Sequence, residues 1–428
     1  MSFASHPGSR SASQAPSGHR TESQPGHRAG WIAFFTAVIT LTLVTVGSLG
    51  GCQSSSFDFL PGSSGPLRPM HAMWVTRFDY RSEQDIVDIF EHCEDLGMDT
   101  VMFQVRGNAT AFYPSPFEPW ADELGGKDPG FDPLAVALRE ARARGMLLHA
   151  WVNVMPAWWG TTAPENPEQL YNARPEWMWY DQNGDRQPLC ERFYVSVNPC
   201  LPAVRSYLVE LIRDIVRRYE VDGVHLDYMR FPNEPPGTPA GSGLDYPRDR
   251  ETVLRFQGES GRTPDEAPEE WDRWRAERVT FLMRDIHRML QATRPLIELS
   301  VAVGPEPELA RHEHFQDVET WLNEDLVDRV FPMNYTSNPD LFRERVARWE
   351  ELAERKRVVM GIRVDTSPPE QVRSYVQLSN ESFNGFCLFA YQSLFDGPNE
   401  TLVDQNEATR RERSDRRRDL QPFFRDLR

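Results

Sequence analysis

"VDGVHLDYMRFP", residues 221–232, begins as a buried β-strand and ends polar. Strand side chains alternate, so Val224 and Leu226 fall on one side and Gly223, His225 and Asp227 on the other. Tyr228 and Arg230 follow, and Pro232 ends the run. An aspartate at the carboxyl end of a buried strand either caps a turn or is delivered there to do chemistry. The rest of the chain decides between the two.

From residue 71 onward, short apolar runs alternate with helical periodicity. The candidate strands are 72–77, 99–105, 146–152, 221–227, 298–303, 328–334, 357–363 and 385–391. Between them Ile86, Ile89, Phe90 and Cys93 mark one helix face, and Leu134, Ala137, Leu138 and Ala141 a second. Val204, Leu208, Leu211 and Ile215 mark a third. Eight strands alternating with helices predict an α/β fold, a (β/α)8 TIM-type barrel with long βα loops. A doubly wound open sheet is the rival, but no GxGxxG or Walker-type loop follows an early strand.

The polar residues gather at the strand ends. Arg77 closes the first strand, Gln104 and Arg106 the second, His149, Trp151 and Asn153 the third. His225 and Asp227 close the fourth, Asn334 and Tyr335 the sixth, Arg363 and Asp365 the seventh, and Tyr391 the last. Those ends share one face of a barrel, where barrel active sites lie. Polar ends on so many strands exceed what turn chemistry requires. The connection after Asn153 is long for a βα loop and carries Trp158, Trp159, Tyr171, Trp177, Trp179, Tyr180, Phe193 and Tyr194. These rings either stack on sugars or form the loop's own small core. His149 and His225 are either ligand-facing or hydrogen-bonded core residues. No paired HxH stands on the first strand, so no metal is expected; no GxSxG occurs, which argues against a serine esterase, and no cofactor is expected.

The chain has 428 residues, 39% hydrophobic and 26% charged, with a net charge of −17. That balance argues against a nucleic-acid partner, which needs a basic face. Residues 31–51, "WIAFFTAVITLTLVTVGSLGG", carry no charge and run into Cys52. Their basic side is N-terminal, which predicts export of the chain beyond them. The segment 1–52 reads as an export signal with a lipobox, lipidated at Cys52, or else as an uncleaved N-terminal anchor. Either places the protein on a membrane of the bacterial cell envelope. Residues 53–70 read as a flexible tether, 71–400 as the barrel and 401–428 as a basic helix. Cys190 and Cys200 share one loop in an oxidising compartment, which leaves a disulfide open.

The ordered set "MWVTRFDY" (73–80), "LLHAWVNV" (147–154), "VDGVHLDYMRFP" (221–232), "VFPMNYTS" (330–337) and "GFCLFAYQSLF" (385–395) resembles the glycosyl-hydrolase-like 10 family. Its members are often exported lipoproteins, and one branch cleaves peptidoglycan glycan strands stripped of their peptides. The resemblance implies a glycoside hydrolase acting on a polysaccharide. By position it makes Asp227 the strongest catalytic carboxylate and Gln104, Arg106, Asn153, Asn334 and Tyr335 lining residues. Glycoside hydrolysis needs two carboxyl groups about the scissile bond. Glu306, past the fifth strand, and Asp365, past the seventh, are the candidates for the second. Arg230 and Arg106 are expected to keep Asp227 ionised, as a nucleophile requires. A polysaccharide-binding barrel without catalysis is the alternative, and it would keep the aromatics while tolerating loss of the carboxylates.

Overall fold

The computed structural model describes residues 67–231, 244–398 and 407–427. Its strands are β1 (Met70–Val75), β2 (Thr100–Arg106), β3 (Leu147–Asn153), β4 (Pro156–Gly160), β5 (Cys190–Ser196), β6 (Gly223–Asp227), β7 (Glu298–Val303), β8 (Arg329–Pro332), β9 (Met360–Arg363) and β10 (Gly385–Phe389). Eight of them form one parallel sheet in the order β8-β7-β6-β3-β2-β1-β10-β9. Parallel bridges from Val330 to Val358 and from Met333 to Gly361 bring its edges together, so the sheet is a nearly closed (β/α)8 barrel. These are the strands expected from the sequence, with ends displaced by three residues or fewer. β1 starts at Met70, inside the stretch read as tether. The sequence reading missed the antiparallel pair β4–β5, which stands within the long connection after β3.

Helices cover the outside because each has one apolar face. In Glu83–Asp95, Ser82 and Asp85 form a reciprocal capping box, and Ile86, Ile89, Phe90 and Cys93 are buried. Each of the larger buried side chains stabilises by about 1.5–3 kcal/mol, against about 1 kcal/mol for a cap, so the buried face holds the helix and the cap sets its start. Helices Pro133–Ala143 and Pro202–Arg218 repeat the pattern, both opened by a proline in the first turn. The C-terminal helix Glu407–Arg425 is more than a solvated basic face, since it buries Leu420 and Phe424. Phe424 stacks on Phe386 of β10 at 6.0 Å.

Two apolar layers result. One lies between strands and helices; the other fills the barrel with Met70, Ala72, Trp74, Met102, Trp151, Phe331 and Cys387. The interior also holds His149 and His225, both essentially unexposed. His149 lies so close to Gly223 that a Cβ there would come within 2.4 Å of its Nδ1, which is why a glycine opens β6. Cys93 and Cys387 are buried thiols, and no disulfide joins Cys190 to Cys200. Cys52 and the other residues of the export segment lie outside the described residues.

Candidate active site

β6 ends at Asp227, paired in register with Asn153 of β3, and delivers its carboxyl to the carboxyl-end face of the barrel. The next residue, Tyr228, has φ +52°, a left-handed conformation costly for a bulky side chain. Strain of this kind is retained where surrounding structure fixes a site. Here it turns the Tyr228 N–H back onto Asp227 Oδ1 at 2.6 Å. Asp227 is only 7% exposed. Burial raises the proton affinity of its carboxyl above that of an ordinary aspartate. The nearby Arg230 charge, the Tyr228 N–H and the Trp151 indole each oppose the rise, and burial outweighs them. Of the two arginines expected to favour the charged form of Asp227, only Arg230 does so, which corrects the expectation for Arg106. Arg230 opposes the rise without cancelling it, and Arg106 is not among the groups acting on Asp227. Trp151 Nε1 is buried beside the carboxyl but makes no hydrogen bond of full geometry. Tyr335, after β8, completes the group. Its hydroxyl is held well above the usual phenol range by burial first and by the Asp227 charge second.

The two candidates for a second carboxylate are engaged elsewhere. Glu306 immediately precedes helix Pro307–His314 and is paired with Arg345 at 2.6 Å. Asp365 is paired with Arg363 at 2.7 Å. Neither cationic setting is the apolar or acidic one that suits a proton donor, and neither carboxylate is among the charges acting on Asp227.

Several residues expected to line the site are tied to the scaffold by hydrogen bonds and ion pairs. Arg106 is fully buried and grips Glu118 through Nε at 2.9 Å and Nη2 at 2.7 Å. Its Nη1 donates to the carbonyls of Asn153 and Val154. Gln104 accepts the Arg77 backbone N–H at 2.9 Å. Arg77 sends Nε to Glu123 at 2.8 Å and Nη1 to the Tyr194 hydroxyl at 3.0 Å. A Cβ at Gly107 would meet Arg77 Cδ at 2.5 Å, so that glycine makes room for the arginine. Asn334 donates to the Phe342 carbonyl at 3.3 Å and meets Arg345 at 3.4 Å. The Tyr391 hydroxyl bonds His92 at 2.8 Å. His225 Nε2 accepts from Trp74 at 3.0 Å, so its Nδ1 carries the proton and faces Ser300 Oγ at 2.9 Å. Burial keeps both histidines neutral, pushing His149 down to about 4. They are core residues beneath the site. Asn153 lies at its edge with a buried Oδ1 that has no partner among the described residues.

The aromatics of the connection after β3 divide into buried and exposed ones. Trp158 is 9% exposed with its indole bonded to the Thr162 carbonyl at 2.7 Å, and Trp179 is 2% exposed against Phe231 at 4.7 Å. Both belong to the loop's own core. Trp159 is partly exposed, with its N–H held by the Glu191 carbonyl at 2.7 Å, and Phe193 is 40% exposed. Sequence reasoning missed Glu118, Glu123 and the structural part of Tyr194. No local spacing marks them, because each meets its partner across separate loops.

Residues 67–367 match the model of a family described as glycosyl hydrolase-like 10. The chain is 27% identical over 334 residues to the glycosyl hydrolase DigH of Escherichia coli (strain K12), covering 68% of this chain and 69% of that protein. It is 24% identical over 300 residues to the glycosyl hydrolase YngK of Bacillus subtilis (strain 168), covering 63% of this chain and 54% of that protein. Among solved structures, the glycoside hydrolase domain of PgaB (BpsB) from Bordetella bronchiseptica shares the fold with a TM-score of 0.57. That likeness is at 11% identity and covers 75% of this chain and 94% of that one.

Proposed function

This chain belongs to the glycosyl hydrolase-like 10 family, and from that premise we propose that it hydrolyses O-glycosidic bonds in a cell-envelope polysaccharide, peptide-free peptidoglycan strands foremost. The observation that carries the proposal is the buried Asp227 carboxyl at the end of β6, with Tyr228, Arg230, Trp151 and Tyr335 about it. A carboxyl that burial makes a better proton holder suits the acid that protonates the leaving oxygen. Glu306 or Asp365 serves the opposite role once a substrate draws it from its arginine. The test is release of new reducing ends from a panel of polysaccharides that includes peptide-free peptidoglycan. Binding to such strands without new reducing ends would instead favour the non-catalytic barrel, the reading that the occupied Glu306 and Asp365 support.

Trp159 is the ring we assign to glycan stacking. Trp159→Ala should weaken polysaccharide binding by on the order of 1 kcal/mol, about fivefold in Kd, with little change in melting temperature. Trp158→Ala should do the reverse, lowering stability by about 3 kcal/mol through the cavity it leaves. Equal effects of the two on binding would remove the distinction. We also propose export and lipidation at Cys52, supported by the uncharged run 31–51 that leads into it. Cys52→Ser should abolish incorporation of labelled fatty acid, and labelling that persists in the variant excludes the lipobox.

A further inference from the structure

Arg77, Tyr194 and Tyr228 connect the end of β1 to Asp227 through the hairpin. Arg77 is 2% exposed, fixed by Glu123 on one side and by the Tyr194 hydroxyl on the other. Its guanidinium also lies 5.7 Å from the Tyr194 ring centre. Tyr194, on β5, sets its ring against that of Tyr228 at 5.0 Å and 83°. Tyr228 in turn carries the Arg230 guanidinium over its ring at 5.0 Å and turns its N–H onto Asp227. A residue at φ +52° needs its side chain held from outside, because the backbone alone favours its relaxing to negative φ. Tyr194 is the aromatic ring packed on it.

We propose that Tyr194 is a positioning residue for the Asp227 carboxyl, acting through Tyr228 and itself anchored by Arg77. The hairpin is then part of the active site's support as well as a surface for glycan. This rests on the reading of Asp227 as the central carboxylate. The groups that face Asp227 are Arg230 and Tyr228 from its own loop, Trp151 from β3 and Tyr335 after β8; Arg363 acts on Tyr335 from β9. Of these, Tyr228 alone is packed against Tyr194. Loss of the Tyr194 ring therefore admits water over Tyr228 and leaves the other four in place. Water at Asp227 removes part of the burial that makes its carboxyl hold a proton, and because burial is the largest influence on it, this outweighs the opposite effect of a weakened Tyr228 N–H contact.

The test follows Asp227 itself in the full chain. Trp151 lies beside the carboxyl, so the pH-dependent difference in tryptophan fluorescence between a protein and its Asp227→Asn counterpart tracks the Asp227 titration without substrate. In Tyr194→Ala the midpoint should fall by about one pH unit, since a surface-exposed aspartate lies lower than a buried one. In Tyr194→Phe, which keeps the ring and loses only the hydroxyl, it should fall by less than half as much. The alkaline limb of kcat/KM should move with the midpoint, and kcat should fall more than KM rises. A midpoint unmoved in Tyr194→Ala, or a rise in KM alone, overturns the proposal and makes Tyr194 a substrate platform. If the midpoint moves as expected but no glycan is cleaved, the hydrolase reading fails and the positioning role stands. Cleavage with an unmoved midpoint keeps the hydrolase reading and removes the positioning role.

Discussion

Asp227→Asn is expected to lower kcat by about 10³-fold or more on a glycan that the wild-type protein cleaves, about 4 kcal/mol of lost transition-state stabilisation. The substitution preserves size and the hydrogen bond from Tyr228 but removes the proton that an acid supplies. It equally removes the charge that an oxocarbenium-like transition state uses. The two roles separate by leaving group. As the acid, Asp227 matters least on aryl glycosides whose leaving groups need no proton, so the variant should recover most of its activity there. The pH profile gives the sign. An acid works while protonated, so activity is present below its pKa and lost as pH rises through it. Burial places that limb above the range of an ordinary aspartate, and the limb should vanish in the variant. Near-normal turnover in Asp227→Asn on the same glycan returns the residue to a strand-end cap.

The barrel was legible because its signals are local. Alternation of short apolar runs with 3.6-residue faces recurs eight times, and each run became a strand of the sheet. Asp227 was legible for the same reason, since a period of two puts it at a strand end. What sequence does not carry is which side chain a strand-end residue meets. Arg106 finds Glu118 and His225 finds Trp74 and Ser300, partners brought together only by closure of the barrel. Position on the correct strand end therefore separates poorly between a residue that faces substrate and one that ties loops beneath it. The same holds for the direction of Asp227's proton affinity. Counting nearby arginines suggested a shift toward the charged form, whereas burial, a property of the assembled barrel, moves it the other way. The hairpin was missed because its strands are bounded by long irregular segments and pair across about thirty residues of loop.

The Arg106–Glu118 pair is where this distinction has its largest consequence for stability. Neither side chain has meaningful exposure: 0% for Arg106 and 1% for Glu118. Tyr207 adds a third contact, donating its hydroxyl to Glu118 at 3.1 Å. Removing one partner of such a pair leaves a charge stranded in a low-dielectric interior, a loss of about 3–5 kcal/mol. Folded domains have a total stability of only about 5–15 kcal/mol, so that loss is a large fraction of what holds the barrel together. Glu118→Leu, similar in volume and so creating little cavity, should show it as a lowered urea midpoint. The double variant Arg106→Met/Glu118→Leu should lose less than the sum of the two single variants, because no stranded charge remains. It should still lose something, since Arg106 also satisfies the carbonyls of Asn153 and Val154 and an orphaned buried carbonyl costs about 1–3 kcal/mol. Turnover per folded molecule should stay within about tenfold of wild type, about 1.4 kcal/mol, for the pair acts on the frame under Asp227 and not on the substrate. An unchanged urea midpoint together with a raised KM in Arg106→Met would restore Arg106 to the lining role that its strand-end position implied.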